Sequence, residues 1–157
     1  LDIGESGGLQ VDETLRTSDP DIFAAGDMVE VAHRVSGKKV RVPLAGPANR
    51  QGRIAATNAL GGSMRYRGAL GTTVVKIFEF TAAATGLSEQ AARHAGLDAG
   101  VAYVFKDNQA SYYPGGKPLA LKIVFDQKTG KLLGGQAYGQ HGVEKRIDVL
   151  AVALQGA

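Results

Sequence analysis

A glycine and an aspartate, Gly26-Asp27, follow the short apolar run at residues 22–25. Glycine has no Cβ, so a ligand can approach its backbone closely. A carboxylate at the carboxyl end of a strand can accept hydrogen bonds from two neighbouring hydroxyls, such as those of a sugar or ribityl chain. Taken alone, the same two residues favour an aspartate-capped structural turn, so the elements around them decide between the two interpretations.

A helix is predicted downstream, because residues 43–60 place small side chains at steps of three and four. These small residues are Ala45, Ala48, Gly52, Ala55 and Ala59. Prolines at positions 43 and 47 suit the start of a helix, and the pair Gly61-Gly62 predicts its end. A face of small residues allows a neighbouring element or a flat ligand to approach the backbone closely. The opposite side carries the polar residues Asn49, Arg50, Arg53 and Thr57.

The string from Thr17 to Asp27 resembles the second FAD-binding signature of the pyridine nucleotide-disulfide oxidoreductases, T-x-x-x-x-I-[FY]-A-x-G-D. Its fixed positions are matched by Thr17, Ile22, Phe23, Ala24, Gly26 and Asp27. The resemblance implies that Asp27, beside Gly26, binds the ribityl hydroxyls of FAD. It also implies that the helix after Pro43 begins at the pyrimidine end of the flavin. There the N–H groups at Leu44 and Ala45 and the helix dipole would stabilise negative charge.

Residues 67–157 are predicted to fold in the order β-β-α-β-β-β-α. The predicted strands cover residues 72–80, 81–86, 101–105, 119–126 and 131–139. Ser88 is the candidate N-cap of a short helix over residues 89–95, and the last helix carries the apolar stripe Val143, Ile147, Leu150 and Leu154. Hairpin-linked strands with helices on one face define an α+β fold with a mainly antiparallel sheet. Upstream, we expect short strands near residues 9–12 and 22–25, the second buried on both faces, and a loop or hairpin over residues 28–42.

The second half of the chain is similar to the dimerisation domain of one branch of the same family, which contains NADH oxidases, NADH peroxidases and coenzyme A-disulfide reductases. The matching strings lie at residues 71–78, 81–87 and 142–148. Within the branch, Tyr112-Tyr113-Pro114-Gly115 is similar to the coenzyme A-disulfide reductases. That similarity implies that Tyr112 reaches the partner subunit's active site and donates a proton to a departing thiolate. Asn49 matches a position that contacts coenzyme A. The alternatives are a packing or turn role for Tyr112 and a solvated helix position for Asn49.

The composition excludes several classes of function. The chain has 157 residues, a net charge of +3 and no cysteine. It therefore supplies no thiol nucleophile, disulfide or thiolate metal site, and we expect no metal. The charge is too small to indicate a nucleic-acid partner, no apolar run is long enough to indicate a membrane span, and we expect a cytoplasmic protein. The three histidines share no metal-binding spacing.

The resemblance implies a division into residues 1–66, the C-terminal half of an FAD-binding domain, and residues 67–157, the dimerisation domain. No G-x-G-x-x-G motif occurs. We therefore expect the rest of the FAD site, the NAD(P)H domain and the redox cysteine to lie in a longer protein, and the isolated piece to be inactive. The expected enzyme is a homodimer through residues 67–157 that passes electrons from NAD(P)H through FAD and a cysteine to coenzyme A disulfide or a related disulfide. The alternatives are an NADH oxidase or peroxidase and, from another class, a non-catalytic dimerisation module.

Overall fold

Two separate sheets organise the chain, one in each of two units. The computed structural model describes residues 1–156. The first unit spans Leu1–Ala69, and the second begins at Leu70. The mixed α+β class and the mainly antiparallel sheet of the second half are confirmed.

The first unit contains a three-stranded sheet and one long helix. Its elements are β1 (Leu9–Gln10), β2 (Val29–Ala32), β3 (Lys39–Arg41) and α1 (Ala45–Ala59). Strand β2 is central, parallel to β1 and antiparallel to β3. The hairpin expected as one alternative for residues 28–42 is therefore present. The core of this unit is formed by Val11, Leu15, Ala24, Val29, Val31, Val42, Ile54, Ala55, Tyr66 and Ala69.

The strand predicted at residues 22–25 is wrong. The segment makes a single antiparallel bridge between Arg16 and Phe23, and Ile22 is 42% exposed rather than buried. The N–H of Thr17 donates to the carbonyl of Ile22 at 3.0 Å as one of the bonds of this bridge. The N–H of Ile22 donates to the carbonyl of Asp19 at 3.1 Å, which closes the turn just before it. A turn therefore bounds the run on its N-terminal side, and a single bridge is too short to form a strand buried on both faces.

Helix α1 forms where its spacing predicts it and ends at the predicted glycine pair. The N–H of Gly61 donates to the carbonyl of Asn58, and that of Gly62 to the carbonyl of Thr57. Gly61 has a φ of +89°, so these bonds form the terminating motif that glycine favours. The helix buries Gln51, Ile54, Ala55 and Asn58.

The second unit is a five-stranded antiparallel sheet with helices. Its elements are β4 (Thr73–Ile77), β5 (Phe80–Gly86), α2 (Glu89–His94), β6 (Ala99–Asp107), β7 (Pro118–Asp126), β8 (Leu132–Gly139) and α3 (Val143–Gln155). The sheet order is β4-β5-β8-β7-β6. The predicted element order is confirmed, as is the Ser88 N-cap, whose hydroxyl accepts from the N–H of Ala91 at 3.1 Å. Helix α3 packs on the sheet through Val143 and Ile147, which join Ala83, Leu119 and Ala137 in one core.

The largest differences in strand boundaries are at β6, which is two residues longer at each end than predicted, and at the turn between β4 and β5. The strand expected over residues 72–80 ends at Ile77, and Phe80 already belongs to β5, its partner. A two-residue turn, Phe78-Glu79, separates them, with a φ of +52° at Phe78. Turns of this kind usually carry glycine or asparagine, so Phe-Glu gives no turn signal in the sequence.

The helices described within residues 1–156 include none with the length and apolar composition of a membrane-spanning segment.

Candidate functional site

Gly26 is held directly against α1 by a buried side chain. Its N–H donates to Oε1 of Gln51 at 2.7 Å, and Gln51 is almost fully buried. Gly26 has a φ of +89°, a conformation that L side chains rarely adopt. A Cβ built on it would lie 3.9 Å from the Cβ of Ala48, which belongs to the first turn of α1. The Gly26-Asp27 pair is therefore held against the first two turns of α1.

The start of α1 carries no cap of its own. Leu44 is the N-cap residue, in an extended conformation with no side-chain cap bond, and the first turn contains no acidic residue. The first helical bond runs from the N–H of Ala48 to the carbonyl of Leu44 at 3.0 Å. The N–H of Leu44 donates to the carbonyl of Val42 at 2.8 Å, so of the two predicted N–H groups only that of Ala45 belongs to the helix start. The N–H groups of Ala45 and Gly46 precede the first helical bond. They form the positive end of the helix dipole, which favours a negative group.

The residues predicted to bind cofactor or substrate in the first unit lie in two places, at Gly26-Asp27 and over residues 43–49 at the start of α1. Asp27, Pro43, Ala45 and Asn49 are exposed, and Leu44 is half-buried. Gly46 and Gly52 have open space where a side chain would be. A solvent-exposed carboxylate, an uncapped helix start and a small-residue face fit the polar chain and the electron-rich ring edge of a flavin.

Sequence reasoning missed Gln51 and Asn58, the two buried polar residues of α1. The Asn58 side-chain amide donates to the carbonyls of Thr14 and Met64, each at 2.8 Å, and accepts from the N–H of Met64 at 2.8 Å. Both residues lie at helical spacing with Ile54 and Ala55 on the buried side. The sequence signal for both residues was a polar side chain on the buried side of an amphipathic helix. Such a side chain needs a hydrogen-bond partner, because buried polar groups are nearly always paired.

A buried carboxylate fixes the loop at the N-terminal end of β1. Glu30, on β2, accepts from the hydroxyl and from the N–H of Ser6, each at 2.6 Å. The Ser6 hydroxyl is the largest cause that holds the pKa of Glu30 below 4.5, and the N–H groups of Ser6 and Gly8 and the Arg41 charge act in the same direction. Arg41 is the residue paired with Glu30 in the register of β2 and β3.

Tyr112 lies in the second unit, in the segment over residues 108–117 that joins β6 to β7. Tyr112 is 83% exposed and Tyr113 is 63% exposed, with their ring centroids 5.8 Å apart. Neither ring is buried in the core of this unit. The Tyr112 side chain is therefore exposed at the surface of this unit.

Within residues 1–156, no group of three or more histidine, cysteine or acidic residues could hold a metal ion. The buried His33 instead accepts a hydrogen bond at Nδ1 from the N–H of Val35, at 3.4 Å.

Comparison with known proteins gives the class to which this fold and site correspond. Residues 72–157 match the pyridine nucleotide-disulphide oxidoreductase dimerisation domain, and residues 1–52 match the pyridine nucleotide-disulphide oxidoreductase family. The chain therefore belongs to the pyridine nucleotide-disulphide oxidoreductase family.

Within that family, the chain is similar to several individual proteins. The chain is 41% identical to an NAD(P)H sulfur oxidoreductase (CoA-dependent) from Pyrococcus abyssi, over 97% of this chain and 34% of the relative. It is 33% identical to a coenzyme A disulfide reductase from Staphylococcus epidermidis, over the same shares of the two chains. The structure of a NAD-dependent persulfide reductase from A. fulgidus matches with a TM-score of 0.93 and 41% identity, over 99% of this chain and 29% of that one. The chain thus spans about a third of the length of these relatives.

Proposed function

We propose that this chain is part of a homodimeric, FAD-dependent enzyme that uses NAD(P)H to reduce a disulfide, in the class of coenzyme A disulfide or a persulfide. The observation that carries the proposal is the Gln51 bond, because it holds Gly26-Asp27 against α1, a helix whose N-terminus is uncapped. A non-catalytic dimerisation module would have no use for that arrangement.

The first unit supplies contacts to the cofactor. Asp27 would accept hydrogen bonds from the ribityl hydroxyls, with Gly26 allowing close approach. The N–H groups of Ala45 and Gly46, which follow Leu44 at the start of α1, would stabilise negative charge on the flavin ring. Pro43 sets the direction in which the chain enters the helix. When bound, FAD supplies the route by which reducing equivalents from NAD(P)H reach a cysteine. That cysteine lies outside this chain, which has none.

The second unit supplies Tyr112 to the disulfide. The attacking cysteine thiolate forms a new S–S bond to one sulfur of the substrate, and the original S–S bond breaks. The departing thiolate takes the hydroxyl proton of Tyr112, and solvent returns a proton to the phenolate. Because Tyr112 is 83% exposed, its hydroxyl is accessible to an active site on another subunit. Asn49, exposed on α1, is proposed to contact the coenzyme A portion of the substrate.

The second unit is also proposed to form the dimer. We assign residues 1–66 to the FAD-binding domain and residues 67–157 to the dimerisation domain. One sheet face carries two stacked aromatic pairs, Phe80 with Tyr138 and Tyr103 with Phe105, with ring centroids 5.1 Å and 6.2 Å apart. Apolar patches rich in aromatic residues are typical of protein interfaces, which supports association of this unit.

The experiment is a comparison of the two half-reactions in the full-length protein. Tyr112→Phe removes the hydroxyl alone and should slow disulfide reduction roughly 100-fold, the usual contribution of a proton donor. It should leave NAD(P)H-dependent flavin reduction unchanged, as measured by stopped-flow absorbance. The matched control is Tyr113→Phe, which alters the neighbouring exposed tyrosine and should leave both steps unchanged.

Two results would refute this assignment. Equal slowing of both half-reactions would mean that Tyr112 has no specific role in proton donation. Rapid oxygen consumption without disulfide reduction would favour the NADH oxidase alternative.

A further inference from the structure

Arg146, in the first turn of α3, links the beginning of that helix to the segment that carries Tyr112. Its Nη2 donates to the carbonyl of Asn108 at 2.6 Å, and its Nη1 donates to the carbonyl of Gly142 at 3.3 Å. Asn108 is the first residue after β6, at the base of the 108–117 segment. A guanidinium is planar and permanently charged, so two such bonds fix the position of the carbonyls that accept them.

The base of the 108–117 segment is closed by its own hydrogen bonds. The N–H of Asn108 donates to the carbonyl of Lys117 at 2.9 Å, and the N–H of Lys117 donates to Oδ1 of Asn108 at 2.8 Å. Closer to the tip, Gln109 Nε2 donates to the carbonyl of Pro114 at 2.9 Å, and the N–H of Tyr113 donates to that of Ala110 at 2.9 Å. Asn108 is therefore bonded both to the far end of the segment and to Arg146.

Gly142 leaves the space that the guanidinium occupies. It has a φ of +75°, and a Cβ built on it would lie 2.9 Å from Nη1 of Arg146. A larger residue would displace the side chain that holds Asn108. The junction between β8 and α3 is thus shaped for this contact.

We propose that Arg146 is a positioning residue for Tyr112: by holding the base of the 108–117 segment, it fixes where the Tyr112 hydroxyl is presented. With 83% of its surface exposed, Tyr112 gains little orientation from packing, so the orientation comes from the segment that carries it. This inference rests on the proposed function of Tyr112 as a proton donor. It assigns Arg146 no contact with the substrate.

The first test measures the segment itself, in the full-length protein, by amide hydrogen exchange. Arg146→Ala should accelerate exchange at Asn108, Tyr113 and Lys117 by about 10- to 100-fold, the effect expected when a charged hydrogen bond is lost. Exchange in the central strands β5 and β8 should be unchanged, which also shows that the variant is folded. Arg146→Lys, which keeps the charge, should restore part of the protection. Lys145→Ala, at the neighbouring exposed position, is the matched control and should have no effect.

The second test measures disulfide reduction. Arg146→Ala should slow this step at least tenfold and leave NAD(P)H-dependent flavin reduction unchanged. In a protein that already carries Tyr112→Phe, the same substitution should slow it little further, because both changes act through one hydroxyl.

The outcomes separate the inference from the function on which it rests. Unchanged exchange in residues 108–117 would overturn the role of Arg146, whatever Tyr112 does. Equal slowing by Arg146→Ala in both backgrounds would overturn it too. Faster exchange together with a Tyr112→Phe protein of normal activity would instead refute the proton-donor function.

Discussion

Replacement of Gly26 by alanine adds one methyl group where we place the flavin. The φ of +89° at Gly26 costs an L-residue about 1–2 kcal/mol. The new Cβ would lie 3.9 Å from the Cβ of Ala48, which is ordinary van der Waals contact. In the FAD-free protein, the backbone cost of the positive φ is therefore the only destabilisation we expect from Gly26→Ala, and the melting temperature should fall by a corresponding amount.

Gly37 provides the matched control for that cost. It has a φ of +71° in the turn between β2 and β3, and a Cβ there would meet nothing within 4 Å. Gly37→Ala should therefore lower the melting temperature of the FAD-free, full-length protein by an amount similar to that for Gly26→Ala. A difference in FAD binding between the two variants then comes from the position of the added methyl group, because the backbone cost is common to both.

Only Gly26→Ala should weaken FAD binding. Crowding of a close-packed contact costs about 1–3 kcal/mol, which corresponds to a Kd raised about 5- to 150-fold. Titration of each apoprotein with FAD, followed by flavin fluorescence, gives the two Kd values. Equal Kd values for the Gly26 and Gly37 variants would refute the placement of the flavin against Gly26.

Two predictions concern the contacts that hold the first unit together. Gln51→Leu keeps the size of the side chain but leaves the N–H of Gly26 without its acceptor, so it should destabilise the full-length protein by about 1–3 kcal/mol. The control is Arg53→Leu, on the exposed side of α1, and thermal melting compares the two variants. Equal melting temperatures for the two variants would contradict the role of Gln51. Glu30→Gln should lower the melting temperature at neutral pH. Because hydrogen bonds in the folded state hold the pKa of Glu30 below 4.5, its stabilisation is present above that pH and is lost as the pH falls through the lower folded-state value. The difference between wild type and variant should therefore shrink in acid, and a difference that stays constant there would contradict this role.

The sequence was sufficient where local patterns decide the structure. Helix α1 and its ending at Gly61, the Ser88 cap and the alternating strands of the second unit all follow from spacing and end signals. The apolar run at residues 22–25 was misleading, because a turn closed by the N–H of Ile22 precedes it and its strand pairing is limited to one bridge at Phe23. The two strands on either side of Phe78 were predicted, but the position of the turn between them was not, because Phe78-Glu79 contains neither glycine nor asparagine.

The parts of the site that depend on distant pairing could not be predicted in this way. Gln51 meets Gly26 across 25 positions and Arg146 meets Asn108 across 38, and no local pattern specifies either partner. The family signature located Gly26 and Asp27 but gave no indication of what holds them against α1. The contact that holds them there, the Gln51 bond, is seen only in the folded first unit.

The most direct test of the central claim is the visible absorbance of the purified, full-length protein, measured together with its molar mass in solution. The account predicts a yellow protein that releases one FAD per chain on denaturation and has twice the mass of a single chain. A colourless protein that fails to take up added FAD would contradict the cofactor assignment, and a monomer would contradict the proposed dimer.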